Sequence, residues 1–349
     1  MKPVVRAIVR FSAVVRLMRY LNRRKVTILV LHGVAGRHPE AGWQPLWPRP
    51  TPETLDRVLA QLSRHYRFIS LEDAVAMVAG ERPVIERALV LTFDDGYRNN
   101  IREALPVLRK HGAPATFFVA TGFVGNGRSY WIDRLDYALQ AAPDEARRFE
   151  ASGLDFDLRG GSRAELANGY RQLRLAVKAR IESDEEMLEV MHTLAESLEE
   201  AAGTSIEDVI GDDPFASVAS WNELGKVAHD GVLIGSHTVD HLRLDGVDEH
   251  SMAGQLRYSK AEIEQRLGIE CAFFCYPNGN FDAQVVAKTR EAGYRAAVTT
   301  QRGLNAVGDD VYTLKRYGFP TRATAFDNLL AISGLAEAPV LRRLAGRAG

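Results

Sequence analysis

Ala88-Leu-Val-Leu-Thr-Phe93 is apolar at nearly every position and then breaks into Asp94-Asp95-Gly96. A short run of that kind, without the alternation of a half-buried strand, is consistent with a strand covered on both faces. Such a strand demands a sheet with layers packed on it, and its polar end brings two carboxylates to the rim. Val232-Leu-Ile-Gly-Ser-His-Thr-Val-Asp-His241 repeats the pattern much later, ending an apolar run in His237 and His241. Two strands that end in carboxylate oxygen and imidazole nitrogen offer hard and borderline ligands. That set suits a catalytic divalent metal with one position left open for water.

The remaining chain supplies the layers. Lys25-Val-Thr-Ile-Leu-Val-Leu-His32-Gly33 is a compact apolar strand ending in a histidine, followed by a Pro-, Gly- and Trp-rich loop over 35–50. Thr51-Pro52-Glu53 has the form of a helix N-cap with proline at the first helical position, and Leu55, Val58, Leu59 and Leu62 give that helix an apolar face. A short strand at Tyr66–Ile69, a helix capped by Ser70, a helix around 99–110 and a strand at Ala115–Ala120 follow. Ser220-Trp-Asn-Glu223 then reads as a capping box opening a helix. Strands at 232–235, 271–276 and 295–299 alternate with helices at 248–267 and 282–292, and a strand over Val311–Arg316 precedes a helix around 325–333. Strand–helix alternation of this kind predicts a parallel sheet with outer helices. The expected fold is α/β, a distorted (β/α) barrel over residues 25–349 with its site at the C-terminal strand ends.

Residues 126–219 break the rhythm. They carry long helical patterns, twenty acidic against ten basic residues, and a Gly160-Gly161 turn. The segment reads as a helical insertion between the two ligand-bearing strands, either a solvated acidic cover or a lid that shapes a substrate cleft.

At −1 formal charge over 349 residues, the chain lacks the basic surplus that binding phosphate backbones demands, so nucleic acid is not the expected partner. Cys271 and Cys275 fall in one apolar run, roughly 13 Å apart at strand rise, beyond disulfide reach. They are expected to be reduced and packed, which suits a cytoplasmic setting. No stretch is apolar for long enough to span a bilayer. Residues 1–24 read as a basic amphipathic helix, with Lys2, Arg6, Arg10, Arg16, Arg19 and Arg23 on one half of the wheel and Val4, Ile8, Phe11, Val14, Val15, Met18 and Leu21 mostly on the other. Arg10 and Arg16 interrupt the core that a cleavable signal peptide needs, so none is expected. Two readings stand for this helix: an interfacial anchor on anionic lipid, making the protein peripheral on the inner membrane, or a helix packed on the body with a solvated face.

Thr92-Phe-Asp-Asp-Gly96, His237-Thr-Val-Asp-His241 and Tyr276-Pro-Asn-Gly279 together resemble the polysaccharide deacetylase family, whose catalytic domain is named after NodB. The Tyr-Pro-x-Gly form is similar to the branch that includes biofilm exopolysaccharide deacetylases. The resemblance implies a hydrolase that removes N-acetyl groups from amino sugars of a polysaccharide or lipid-linked glycan. It implies Asp95, His237 and His241 as ligands of a divalent ion, zinc first among them, with Asp94 as general base and the backbone N–H of Asn278 at the oxyanion.

Two departures from the family pattern matter. Most members carry a C-terminal histidine that protonates the leaving amine, yet no histidine follows His250; His32, at the end of the first strand, is the candidate acid, the alternative being a strand-end histidine that caps a loop. The arginine that normally steadies the base is replaced at Cys275, and Arg316 is the candidate to supply that charge to Asp94, the alternative being a surface salt bridge. Tyr130, Trp131 and Trp221 suit either sugar-face stacking or core packing. Two other functions remain open: a catalytically silent glycan-binding scaffold, and a deformylase or deacetylase of a sugar-lipid or sugar nucleotide.

Overall fold

The computed structural model describes residues 13–181 and 183–337. Residues 1–12 of the N-terminal segment, including Lys2, Arg6 and Arg10, lie outside the described residues; 13–21 is helical.

The strands are β1 (Thr27–Leu31), β2 (Arg67–Phe68), β3 (Ala88–Phe93), β4 (Ala115–Val119), β5 (Arg148–Ala151), β6 (Leu154–Asp157), β7 (Leu233–Ser236), β8 (Phe273–Cys275), β9 (Ala296–Val298) and β10 (Tyr317–Gly318). All but β5 and β6 form one parallel sheet in the order β10-β1-β3-β4-β7-β8-β9, curled into a half-barrel. The short β2 pairs with the start of β3, and β4 with its second half, so both use the same long strand in succession.

Strand period sorts the core into two faces. Leu29, Leu31, Leu89, Leu91, Phe93, Phe117, Val119 and Phe274 pack with Leu55, Leu59, Leu105, Leu224 and Leu256 of the outer helices. The intervening Ile28, Val90, Phe118, Phe273 and Cys275 form a second cluster, joined by Leu71, Ala74 and Val75 of the Leu71–Val78 helix. Burial on both faces explains why β3 reads as an unbroken apolar run.

The expected N-caps form: Thr51, Ser70 and Ser220 each accept a backbone N–H from the residue three positions on. The strand expected over Val311–Arg316 is instead a 3-10 turn at Val311–Thr313, with the strand two residues long at Tyr317–Gly318. Asp310 explains the shift, because its carboxylate caps the Tyr312 N–H at 3.0 Å and starts a turn where alternation suggested extension.

The 126–219 segment holds more than helices. The Trp131–Ala141, Arg163–Arg180 and Asp184–Ala202 helices enclose their own apolar cluster of Leu135, Leu139, Tyr170, Leu173, Val177, Met187, Met191 and Leu198. An antiparallel β5–β6 hairpin, turned by Ser152 and Gly153 in left-handed conformation, was not legible as strands.

Candidate active site

β3 ends at Phe93, and Asp94 and Asp95 follow at 2% and 7% exposure. Gly96 comes next at φ +68°, where a Cβ would stand 2.9 Å from Val119 Cγ1, so glycine alone lets this turn lie against β4. β7 ends at Ser236 and hands over His237, whose backbone N–H still bonds Val119. Asp95, Thr238, His241 and Asn278 all have positive φ, four of the six such non-glycine positions among the described residues. Strain concentrated on one rim marks it as a place where geometry was kept at a cost to stability.

Asp95 Oδ1 faces His237 Nε2 at 3.5 Å and His241 Nε2 at 3.4 Å. Those separations are long for strong hydrogen bonds. They match the spacing of roughly 3.3–3.5 Å between atoms that bind one tetrahedral ion at about 2.0–2.2 Å. His237 is also oriented from behind: its Nδ1–H donates to the Cys275 carbonyl at 2.7 Å. A carbonyl only accepts, so Nδ1 carries a proton and Nε2 is the atom turned toward Asp95. Tyr130 holds the other two groups, donating to the Asp95 carbonyl at 2.7 Å and setting its ring edge-on to His241. The donor set therefore fits a divalent ion.

Asp94, His237 and Cys275 also converge. That set is already served by a cation, because Arg316 donates to both Asp94 oxygens at 2.7 and 2.8 Å and to Cys275 Sγ at 3.2 Å. Arg316 is 1% exposed and is further fixed by the Thr299 carbonyl and the Thr92 hydroxyl. Burial pushes the Cys275 thiol up, keeping it protonated and a poor ligand. Of the two clusters, only Asp95, His237 and His241 lacks a resident cation.

Burial alone would raise both carboxyls, and in both it is outweighed. Arg316 holds Asp94 below the usual carboxylate range, and the facing imidazoles hold Asp95 well below it. Both carboxylates are therefore ionised at neutral pH.

His32 is exposed just past β1, on the lip of a cleft of about 560 Å³ that Asp95 also lines. Asn278 sits in the turn after β8, where its carbonyl accepts from Thr300 Oγ1 at 3.0 Å and its side chain from Lys178. A Cβ on Gly279 would run into the Thr300 side chain and backbone, which fixes glycine there. The aromatic residues settle differently from one another. Tyr130 and Trp131 are buried and Trp221 packs on the outer core, whereas Trp47 is 59% exposed in the cleft. Sequence reasoning passed over Trp47; its signal was a tryptophan between Pro45 and Pro48 in a loop, where there is no helix or strand face to bury it.

The curled parallel sheet, with carboxylates and imidazoles at its C-terminal strand ends, defines an α/β barrel protein whose chemistry sits at the strand ends. The sequence profile of the polysaccharide deacetylase family matches residues 81–208 and 203–297, and the chain belongs to that family. YxkH of Bacillus subtilis (strain 168), whose name describes it as a polysaccharide deacetylase, is 20% identical over 251 residues, 72% of this chain and 58% of that one. The chain thus spans under two thirds of that relative's length. Among solved structures, the deacetylase PplD of Streptococcus pyogenes, in complex with acetate, superposes with a TM-score of 0.57 at 16% identity, over 88% of this chain and 98% of its own. IcaB from Ammonifex degensii gives 0.54 at 18%, over 90% and 98%. At these identities the likeness is one of fold.

Proposed function

We propose that this protein is a metal-dependent deacetylase that removes the N-acetyl group from an amino sugar of a polysaccharide or lipid-linked glycan. The observation that carries the reading is the convergence of Asp95, His237 and His241 beside the Arg316-bound Asp94. A divalent ion held by those three residues, zinc being the first expectation, would polarise the amide carbonyl and acidify a water.

The chain's own groups supply the rest of the hydrolysis. Asp94 takes the proton of the attacking water, and the two-pronged grip of Arg316 keeps its carboxylate ionised and aimed. As the water oxygen bonds to the acyl carbon, the backbone N–H of Asn278 donates to the oxygen that gains charge, a contribution worth about 3 kcal/mol at the transition state. His32 delivers a proton to the nitrogen as the carbon–nitrogen bond breaks, so the products are acetate and a free amino sugar. Trp47, standing exposed in the same cleft, offers a ring to a sugar face. Asp94, Asp95, His237 and His241 on one rim weigh against a silent binding scaffold, which would have no use for all four.

Calorimetric titration with zinc, beside acetate release from N-acetylglucosamine oligomers, tests the proposal. Wild-type protein should bind one ion and release acetate, His241→Ala should lose both, and His32→Ala should keep zinc and lose turnover. A folded wild type that takes up no metal would reject the reading, and normal turnover in His32→Ala would remove that residue as the acid.

We also assign residues 1–24 a peripheral role on an anionic membrane, which would favour a lipid-linked glycan. Support comes from Val14, Leu17, Tyr20 and Leu21, which are exposed at 41–60%. Among the described residues no helix is long and apolar enough to cross a membrane. Co-sedimentation with phosphatidylserine-containing liposomes should fall when 1–24 is deleted; unchanged association would reject this role.

A further inference from the structure

The insertion is acidic overall, yet the helix it presents to the active site turns a pair of cations inward. Arg174 and Lys178 lie one turn apart on the Arg163–Arg180 helix and so share a face. Both approach the Trp131 ring, the guanidinium at 5.7 Å and the ammonium at 5.4 Å from its centroid. Lys178 Nζ donates to Asn278 Oδ1 at 3.1 Å, which puts the ammonium directly on the turn whose backbone is assigned to the oxyanion. Arg174 lines the same cleft as Asp95, His32 and Trp47.

What distinguishes the pair is its lack of a carboxylate partner. Among the described residues, neither cation has a carboxylate within ion-pair distance, although carboxylates stand nearby. Asp184 is taken by the Arg243 side chain at 2.8 Å and by its backbone N–H. Asp133 is taken by Arg49 and Tyr97, Asp136 by the Leu46 N–H and Gln140, and Asp245 by Asn280. Arg174 Nε is buried with no hydrogen-bond partner. A buried charged donor left unpaired is costly and rare in a native fold, and it calls for an acceptor that binding supplies. Lys178 has only the neutral Asn278 amide oxygen as acceptor, and burial first, then the neighbouring Arg174, lower its pKa to about 8. Two cations held together without a counterion are poised for an anion.

We infer that Arg174 and Lys178 form a subsite for an anionic group of the substrate, a carboxylate or phosphate borne next to the N-acetylated sugar. The inference rests on the deacetylase reading for the position of that sugar, but not for the presence of the anion subsite. It narrows the substrate class from N-acetylated glycans in general to acidic ones, such as a chain that alternates amino sugar with uronate, or a glycosyl phosphate.

The test compares Kd by calorimetry for three probes: chitotetraose, which is neutral; a hyaluronan tetrasaccharide, which adds carboxylates; and uridine diphosphate N-acetylglucosamine, which adds phosphates. The wild type should bind at least one anionic probe roughly tenfold more tightly than chitotetraose, the loss expected for one charge-assisted hydrogen bond. Whichever anion carries the preference identifies its chemistry. Arg174→Gln/Lys178→Met should bring the ratio near one, while Arg174→Lys should retain part of it. Zinc stoichiometry and melting temperature serve as checks that each variant is folded. If the double variant fails to fold, salt titration of the wild type decides, since added salt should weaken only the anionic probe. Equal wild-type affinities, a preference that survives in the folded double variant, or one insensitive to salt would overturn the inference. An anion preference without acetate release from any probe would instead sink the deacetylase reading and leave the subsite standing.

Discussion

At the residue scale, the fate of Asp94 turns on one partner. Its carboxylate is 2% exposed, and Arg316, 1% exposed, donates to both of its oxygens. A buried ion pair is weak evidence of net stabilisation, but removing one member leaves the other charge uncompensated, typically at a cost of about 3–5 kcal/mol. Arg316→Met should therefore destabilise the fold by that amount in urea titration. Asp94→Leu/Arg316→Met should recover a good part of the loss, because it removes the stranded charge as well. A double variant no more stable than Arg316→Met alone would show that Arg316 acts through its bonds to Thr299 and Thr92 instead. The sequence offered Arg316 as a candidate partner of Asp94 with a surface salt bridge equally open, and the structure pairs the two. Its pairing with Asp94 depends on β1 lying between β3 and β10, a sheet order that no local pattern encodes.

At the element scale, the Arg163–Arg180 helix connects the insertion to the Pro277–Gly279 turn through the bond from Lys178 to Asn278. Twenty acids against ten bases left a solvated cover and a cleft-shaping lid both open, because which few cations face the cleft depends on tertiary packing. The charged surroundings of Lys178 are Arg174 on its own helix, with Asp184 and Arg243 beside it. Its pKa is lowered to about 8, first by burial, so the ammonium loses its proton as pH rises through that value. Preference for an anionic over a neutral probe should accordingly fall between pH 7 and 9 without vanishing, since Arg174 keeps its charge. A preference that is flat across this range would assign the subsite to Arg174 alone. The β5–β6 hairpin was hidden for a related reason: its strands are four residues each and half-exposed, and the pattern is too short to outweigh the helices around it.

At the scale of the whole molecule, the apolar runs made the parallel sheet legible in the sequence, because burial on both faces leaves an unbroken signature, and their polar ends marked Asp94, Asp95, His237 and His241 as neighbours on its rim. The cleft was not legible: Trp47, Arg174 and His32 come from a loop, an insertion helix and a strand end that meet only after the sheet has curled. The proposed metal site would bear on the fold as a whole for the same reason. Asp95 follows β3 and His237 and His241 follow β7, with β4 between them and the entire insertion separating them in sequence. An ion shared by those residues ties two distant parts of the chain in the native state and finds no such site in the unfolded one. Free ion at a thousand times its Kd would then stabilise the fold by about 4 kcal/mol. For a chain of this size each kcal/mol moves the midpoint by roughly 2 °C. Stripping metal with a chelator should therefore lower the melting temperature by roughly 5–10 °C, and zinc should restore it. His241→Ala should melt at one temperature with or without chelator, because it has no site to empty. A wild type equally indifferent to chelator and to added zinc would mean that the three ligands never share an ion, and the hydrolytic mechanism built on them would fall with it.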